Sequence, residues 1–491
     1  MKQGLSLLLI TISIFANTNI SQARNYYVSV TGSDLNVGYL IDAPFRSMKK
    51  ALGKTDIDTI FVRGGIHQYT LDSTISVSKS GTAEKPLVIK NYQGETVIFD
   101  GSKLNAGKKG MDLKGSYWHL YGLNFVKARD NGMFISGAYN VVELCTFSEN
   151  EDSGLQLSEG ASNNQIINCD SYFNKDATSE NADGFACKLD VGTGNLFRGC
   201  RAWQNSDDGW DGYIRPSATY NSDGVSTTLE NCWSFRNGYL KTDVISGANG
   251  DGNGFKMGGS DNTDMSHNMT LTNCVSFFNR KRGFDQNNNR GSMTLYNNTA
   301  YANGGGNFIM NSISLDAGSV MTVKNCVAFN ANGSAGSNAF VSGSIVQTNS
   351  WQSPVSTSSA DFISFDTVGA RGPRKPDGSL PDITFMHLAA GSDLIDAGQD
   401  VGLTYSGAKP DLGAFETTSI ITLAYTFTGN GNWTDAANWL NNQVPPSTPP
   451  AGTQIIINPA AGGECILNTA YTVSPGVIFT VLSGKSMRVA Q

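Results

Sequence analysis

Four aspartates and one lysine, Asp183, Asp207, Asp208, Asp211 and Lys256, fall in three short glycine-centred phrases, NADGFACK (181–188), NSDDGWD (205–211) and NGFKMGG (253–259). Carboxylates brought together repel one another unless something positive neutralises them. Hard cations take oxygen ligands, and calcium accepts crowded, flexible geometry better than magnesium does. A lysine beside a bound dication has its ammonium form disfavoured and so becomes a candidate general base. Each residue also has a plainer role: Asp and Asn serve β-turns at many positions, and Lys256 could form a surface ion pair of little energetic value. Which role applies depends on whether the chain brings these phrases together.

The phrases align on their glycines. With Gly154, Gly184, Gly209, Gly254 and Gly283 in one column, the next column holds Leu155, Phe185, Trp210, Phe255 and Phe284, and the one after it Gln156, Ala186, Asp211, Lys256 and Asp285. Strand alternation turns the first of these columns inward and the second outward. Trp210 is therefore expected to be a packing residue and not a ligand-binding aromatic. The column before the glycine holds Ser153, Asp183, Asp208, Asn253 and Arg282, so Asp183 and Asp208 are expected one rung apart, with Asp207 and Asp211 close by. Four carboxylates converging in this way point to a metal site.

A second phrase explains why the columns should stack. ELCTFSEN, INCDSYFN, RGCRAWQN, ENCWSFRN, TNCVSFFN, YNNTAYAN and KNCVAFNA share a Cys (145, 169, 200, 232, 274 and 326, with Asn298 in the sixth copy), usually followed five places later by Asn. The intervals of 24, 31, 32, 42, 24 and 28 residues have a fixed minimum and a variable excess. A solenoid with a set course of short strands and loops of free length gives this pattern. Apolar residues alternate within each phrase, which is strand periodicity. The fold expected is all-β, a right-handed parallel β-helix, with the cysteines as an inward ladder of free thiols and the asparagines as a ladder at the turns. Disulfides between neighbouring rungs are the competing reading, opposed by side chains that point in parallel.

The three central phrases, in this order and register, resemble polysaccharide lyase family 9, parallel β-helix pectate lyases with one primary calcium. The resemblance extends to YYVSVTGSD near residue 26, DTIFVRGG at 58–65 and GSDLIDAGQDVGL…PDLGAFE at 391–416. It implies a calcium ion held by Asp183, Asp207, Asp208 and Asp211, and Lys256 as the Brønsted base. The implied reaction is β-elimination of a uronate polymer: loss of the C5 proton, departure of the O4 glycosidic oxygen, and an alkaline optimum because the base must be neutral. Homogalacturonan and rhamnogalacturonan I are the acidic plant cell-wall polysaccharides it suggests as substrate. A metal-independent β-helix glycoside hydrolase and a non-catalytic carbohydrate-binding β-helix are the alternatives; neither needs both the lysine and calcium.

The rest of the chain sets limits. Its 491 residues carry a formal net charge of −7, with no basic clustering of the kind nucleic acid requires. Residues 1–23 have the layout of a cleaved export signal, and no later stretch approaches the apolar length of a membrane span. A secreted, periplasmic or surface protein, monomeric, is expected. Residues 24–419 would form the helix, capped at the start by a short amphipathic helix in APFRSMKKAL, and 420–491 a small β module in which Trp433 and Trp439 are core or sugar-stacking residues. Excursions at 212–227 and 238–251 should wall a cleft, and Arg215, Arg280, Arg282 and Arg290 are candidate clamps for substrate carboxylates.

Overall fold

In the computed structural model, residues 23–417, 424–449, 453–473 and 477–490 are described; the expected export signal, apart from Ala23, lies outside them. Three parallel sheets of 12, 10 and 10 strands run the length of the main body, and within each sheet strands follow one another in chain order. Each coil visits the three in turn, as in Gln165–Ile167, Asp170–Tyr172 and Phe185–Cys187. The next coil repeats the course with Asn195–Arg198, Arg201–Trp203 and Trp210–Asp211. This is the right-handed parallel β-helix the spacing predicts.

The recurring phrase is the corner between the first and second sheets. The residue before each Cys or its equivalent, namely Leu144, Asn168, Gly199, Asn231, Asn273, Asn297 and Asn325, has φ between 51° and 64°. Asn and Gly tolerate this left-handed conformation, which accounts for their prevalence there. All eight cysteines are free thiols and buried. Cys169, Cys200, Cys232, Cys274 and Cys326 each point Sγ at a carbonyl of the preceding coil, at 3.3 to 3.6 Å.

At the next corner the asparagines form a continuous ladder. Nδ2 of Asn150, Asn174, Asn205, Asn237 and Asn279 donates to Oδ1 of Asn174, Asn205, Asn237, Asn279 and Asn303 in turn, at 2.9 to 3.0 Å. The glycine column packs against this ladder. A Cβ on Gly184 or Gly209 would lie 2.8 or 2.7 Å from an Asn Nδ2 and equally near the next coil's carbonyl, so only glycine fits.

Two further segments close the body. Met48–Leu52 is a helix capped by Ser47, burying Met48 and Ala51; it is shorter than the amphipathic stretch suggests, and Arg24–Val28 before it already pairs in the first sheet. Residues 355–415 cross the outer face of the second sheet, where Phe362, Phe385, Leu388, Leu394 and Leu412 bury Trp233, Phe235, Phe277 and Phe329. From 424 onward, two three-stranded parallel sheets form a short solenoid of their own. Trp433 and Trp439 are 1% and 2% exposed in its core, and Trp439 Nε1 donates to Trp433 O. Burial removes the sugar-stacking option for both. No helix among the described residues is long and apolar enough to cross a membrane.

Candidate metal centre and base

The third sheet carries the site. Leu155, Phe185, Trp210, Phe255 and Phe284 pair in register from coil to coil, as do Gln156, Ala186, Asp211, Lys256 and Asp285. The inward rings stack at 4.9 Å (Phe185–Trp210), 5.0 Å (Trp210–Phe255) and 5.1 Å (Phe255–Phe284). This column fixes the rise between rungs and so sets the spacing of the outward groups.

Backbone amides anchor the aspartates. Asp208 N donates to Asp183 Oδ1 (3.2 Å), Asp251 N to Asp207 Oδ1 (2.6 Å), Asn253 N to Asp208 Oδ1 (2.6 Å) and Tyr213 N to Asp211 Oδ1 (3.0 Å). All four therefore have one oxygen tied to the main chain of the next coil or of their own turn, leaving the second to point elsewhere. One oxygen each from Asp183, Asp207 and Asp208 lies within 4.8 Å of the others, a grouping able to hold a metal ion. Asp211 stands beside this group and between two lysines. The 238–251 excursion reaches the site through Asp251, which fixes Asp207.

Lys256 Nζ lies 3.2 Å from Asp208 Oδ2 and 3.6 Å from Asp211 Oδ1. The first approach has no hydrogen-bond geometry: Asp208 Oδ2 is fully buried and accepts nothing. An unsatisfied buried carboxylate oxygen beside two other carboxylates fits a hard divalent cation, and the all-oxygen donor set fits calcium.

Lys188 completes the cluster and was not singled out by sequence reasoning. Its side chain is 8% exposed, and Nζ lies 2.6 Å from Asp183 Oδ2 and 3.4 Å from Asp211 Oδ2. The signal was present: Lys188 shares outward parity with Ala186, whose small side chain leaves room beside Asp211 for a long stem.

Burial dominates the electrostatics. It pushes Asp183 up to about 6 against the pull of Lys188, and Asp208 up to about 8 against that of Lys256. Asp207 is raised by burial together with Asp208 and Asp183. Burial also acts to raise Asp211, but Lys256 and Lys188 outweigh it and hold its carboxyl below the usual range. For Lys256, burial favours the neutral amine; Asp211, Asp208, Asp207 and Asp183 overcome this and hold its proton on well above the ordinary lysine value. The protein's own charges thus oppose the neutral form a base needs.

The four candidate clamps already have partners. Arg215 pairs with Asp261 and Arg282 with Asp285, Arg280 donates to the carbonyls of Gly247 and Gly250, and Arg290 is held by Asp316 and the Thr263 carbonyl. Arg282 lies on the same face as Lys256, one coil further on, and its side chain is 38% exposed.

Comparison with known proteins agrees with this fold. The family described as Pel9A-like, right handed beta helix region, matches residues 26–325. The chain is 35% identical over 410 residues to pectate lyase L of Dickeya chrysanthemi, covering 81% of this chain and 92% of the relative. The crystal structure of pectate lyase Pel9A superposes with a TM-score of 0.71 at 34% identity, over 82% of this chain and 98% of that one. A rhamnogalacturonan lyase superposes at 0.64 with 26% identity, over 75% and 97%. Such matches across most of both chains set aside the hydrolase and non-catalytic readings. The chain belongs to the Pel9A-like right-handed β-helix family, polysaccharide lyase family 9, and is a polysaccharide lyase.

Proposed function

We propose that this protein is a calcium-dependent pectate lyase that cleaves polygalacturonate by β-elimination, with Asp183, Asp207, Asp208 and Asp211 as metal ligands and Lys256 as the base. The observation that carries the reading is the unsatisfied, buried Asp208 Oδ2, next to two further carboxylates and 3.2 Å from the lysine. Calcium, when bound, would supply positive charge to a substrate carboxylate and so acidify the adjacent C5 proton. Lys256 takes that proton; the C5 electron pair forms the C4–C5 double bond as the C4–O4 bond breaks, and O4 leaves with a proton from water. Asp211, paired with Lys256 on the neighbouring rung, orients the amine.

The likeness to a rhamnogalacturonan lyase supports a second substrate, rhamnogalacturonan I. The excursions at 212–227 and 238–251, which contain Tyr213 and Asp251, would select between the polymers. Ultraviolet absorbance of the C4–C5 double bond tests the proposal, with both polymers offered at alkaline pH in calcium or chelator. Absorbance from polygalacturonate that chelator removes is the expected result. Absorbance from rhamnogalacturonan I alone would reassign the substrate, and chelator-resistant cleavage would overturn the metal's role.

A further inference from the structure

We propose that Lys188 is a positioning residue, an internal counter-ion that holds Asp183 and Asp211 in place and limits how tightly the cluster binds a divalent cation. The inference rests on the metal reading above and adds to it a residue that reading does not use. Lys188 Nζ reaches Asp183 Oδ2 at 2.6 Å and Asp211 Oδ2 at 3.4 Å, oxygens on two different coils, and so bridges two rungs. Its contacts differ from those of Lys256, which faces Asp208 and Asp211. The two lysines therefore divide three of the four carboxylates: Lys188 serves Asp183, Lys256 serves Asp208, and Asp211 is shared, while Asp207 is held by the Asp251 amide.

The charge count gives this division its consequence. Four carboxylates face two ammonium groups, a deficit that one divalent cation closes. Without Lys188 the deficit grows, and the carboxylates around Asp208 Oδ2 attract a cation more strongly. A pair this deeply buried also costs stability when one member is removed, because the other is left as an uncompensated charge. Ser153 Oγ, 3.0 Å from Asp183 Oδ2, would be the one remaining side-chain donor to Asp183. Lys188 thus does for the cluster what a second metal ion would do, but cannot be lost by chelation.

Calorimetric titration of the full chain with calcium at alkaline pH, which reads binding and not turnover, tests this. Lys188→Met is expected to bind calcium about tenfold or more tightly than wild type, because a unit positive charge has been removed from the cation's neighbourhood. Lys188→Arg keeps the charge and is expected to bind as wild type does. Should Lys188→Met fail to fold, Lys188→Gln, which retains a donor for Asp183 without the charge, decides the matter. Wild-type or weaker affinity in the neutral variants overturns the assignment, as does failure of both to fold even in calcium, which would make Lys188 purely structural. No heat of binding in the wild-type protein would instead overturn the metal reading itself, and this assignment with it.

Discussion

Lys256 Nζ and Asp208 Oδ2 lie 3.2 Å apart on adjacent coils, and the oxygen accepts no hydrogen bond. The proposed base thus stands beside a buried carboxylate oxygen that no hydrogen bond satisfies. The surrounding carboxylates hold the lysine in its charged form.

The first prediction concerns Lys256 as base. Replacement by Met should lower the elimination rate about a hundredfold to ten-thousandfold, the usual contribution of a positioned base. Lys256→Arg should not restore it, because a guanidinium does not give up its proton. The carboxylates hold the Lys256 proton on against burial, so the neutral fraction and the wild-type rate should climb as pH rises. A pH–rate profile by ultraviolet absorbance checks this; a rate falling with pH, or activity in Lys256→Met, would rule the lysine out.

Asp208 makes a prediction about stability. Burial pushes its carboxyl up to about 8 in the folded protein, against about 3.9 in an unfolded chain. The folded state therefore binds more protons between these values, and this group's contribution to stability is lost as pH rises through that window. In calcium-free buffer Asp208→Asn should be more stable than wild type at about pH 8, and the gap should close toward pH 5. Urea unfolding at the two pH values measures it, and an asparagine variant weaker than wild type at the higher pH would contradict it.

Trp210 should be replaceable. It sits in a column of phenylalanines, and its indole N–H is buried without a partner. Trp210→Phe loses some packing but removes that unpaired donor, so the net cost should stay below about 1.5 kcal/mol. Trp210→Ala should cost about 3–5 kcal/mol. Thermal unfolding separates the two, and a raised KM in a stable Trp210→Phe protein would point to contact with sugar.

Asn205 should not be replaceable. Its Oδ1 accepts both the backbone N–H and the side-chain Nδ2 of Asn174, and all these groups are fully buried. Asn205→Ala strands the Asn174 N–H, at about 1–3 kcal/mol for a buried group left unpaired, and leaves Asn174 Nδ2 only its bonds to Ser171 Oγ and Phe147 O. Denaturant unfolding should show a loss of that size without any change in substrate preference.

How far the sequence foretold this structure can be judged residue by residue. The pairing Ala186–Asp211–Lys256–Asp285 was legible because strand parity is rigid once the glycines are aligned. The convergence of Asp183, Asp207 and Asp208 followed from the same register. Lys188 was missed although its outward parity was readable, because parity gives its face and not which carboxylates its long stem reaches. The cover of the second sheet by residues 355–415 was missed for a related reason. Those residues carry no strand periodicity, so nothing in their pattern shows that they cover outward aromatics such as Phe235 and Phe277. The excursions were visible as excess length, but that Asp251 would deliver its N–H to Asp207 was not, because a loop's length does not fix its path.

The asparagine ladder has a direction. Every amide from Asn150 to Asn279 donates toward the C-terminal coil and accepts from the N-terminal one, so the dipoles are aligned head to tail. Reversing a single amide would set donor against donor on one side and acceptor against acceptor on the other. The array therefore has one low-energy orientation, and a fault in it has two places to go, the first rung or the last. A break at an interior rung splits one polarised line into two shorter ones, each with a new exposed end. The middle of the helix, where Asn174 and Asn205 flank Asp183, Asp207 and Asp208, is on this account the last part of the corner to loosen.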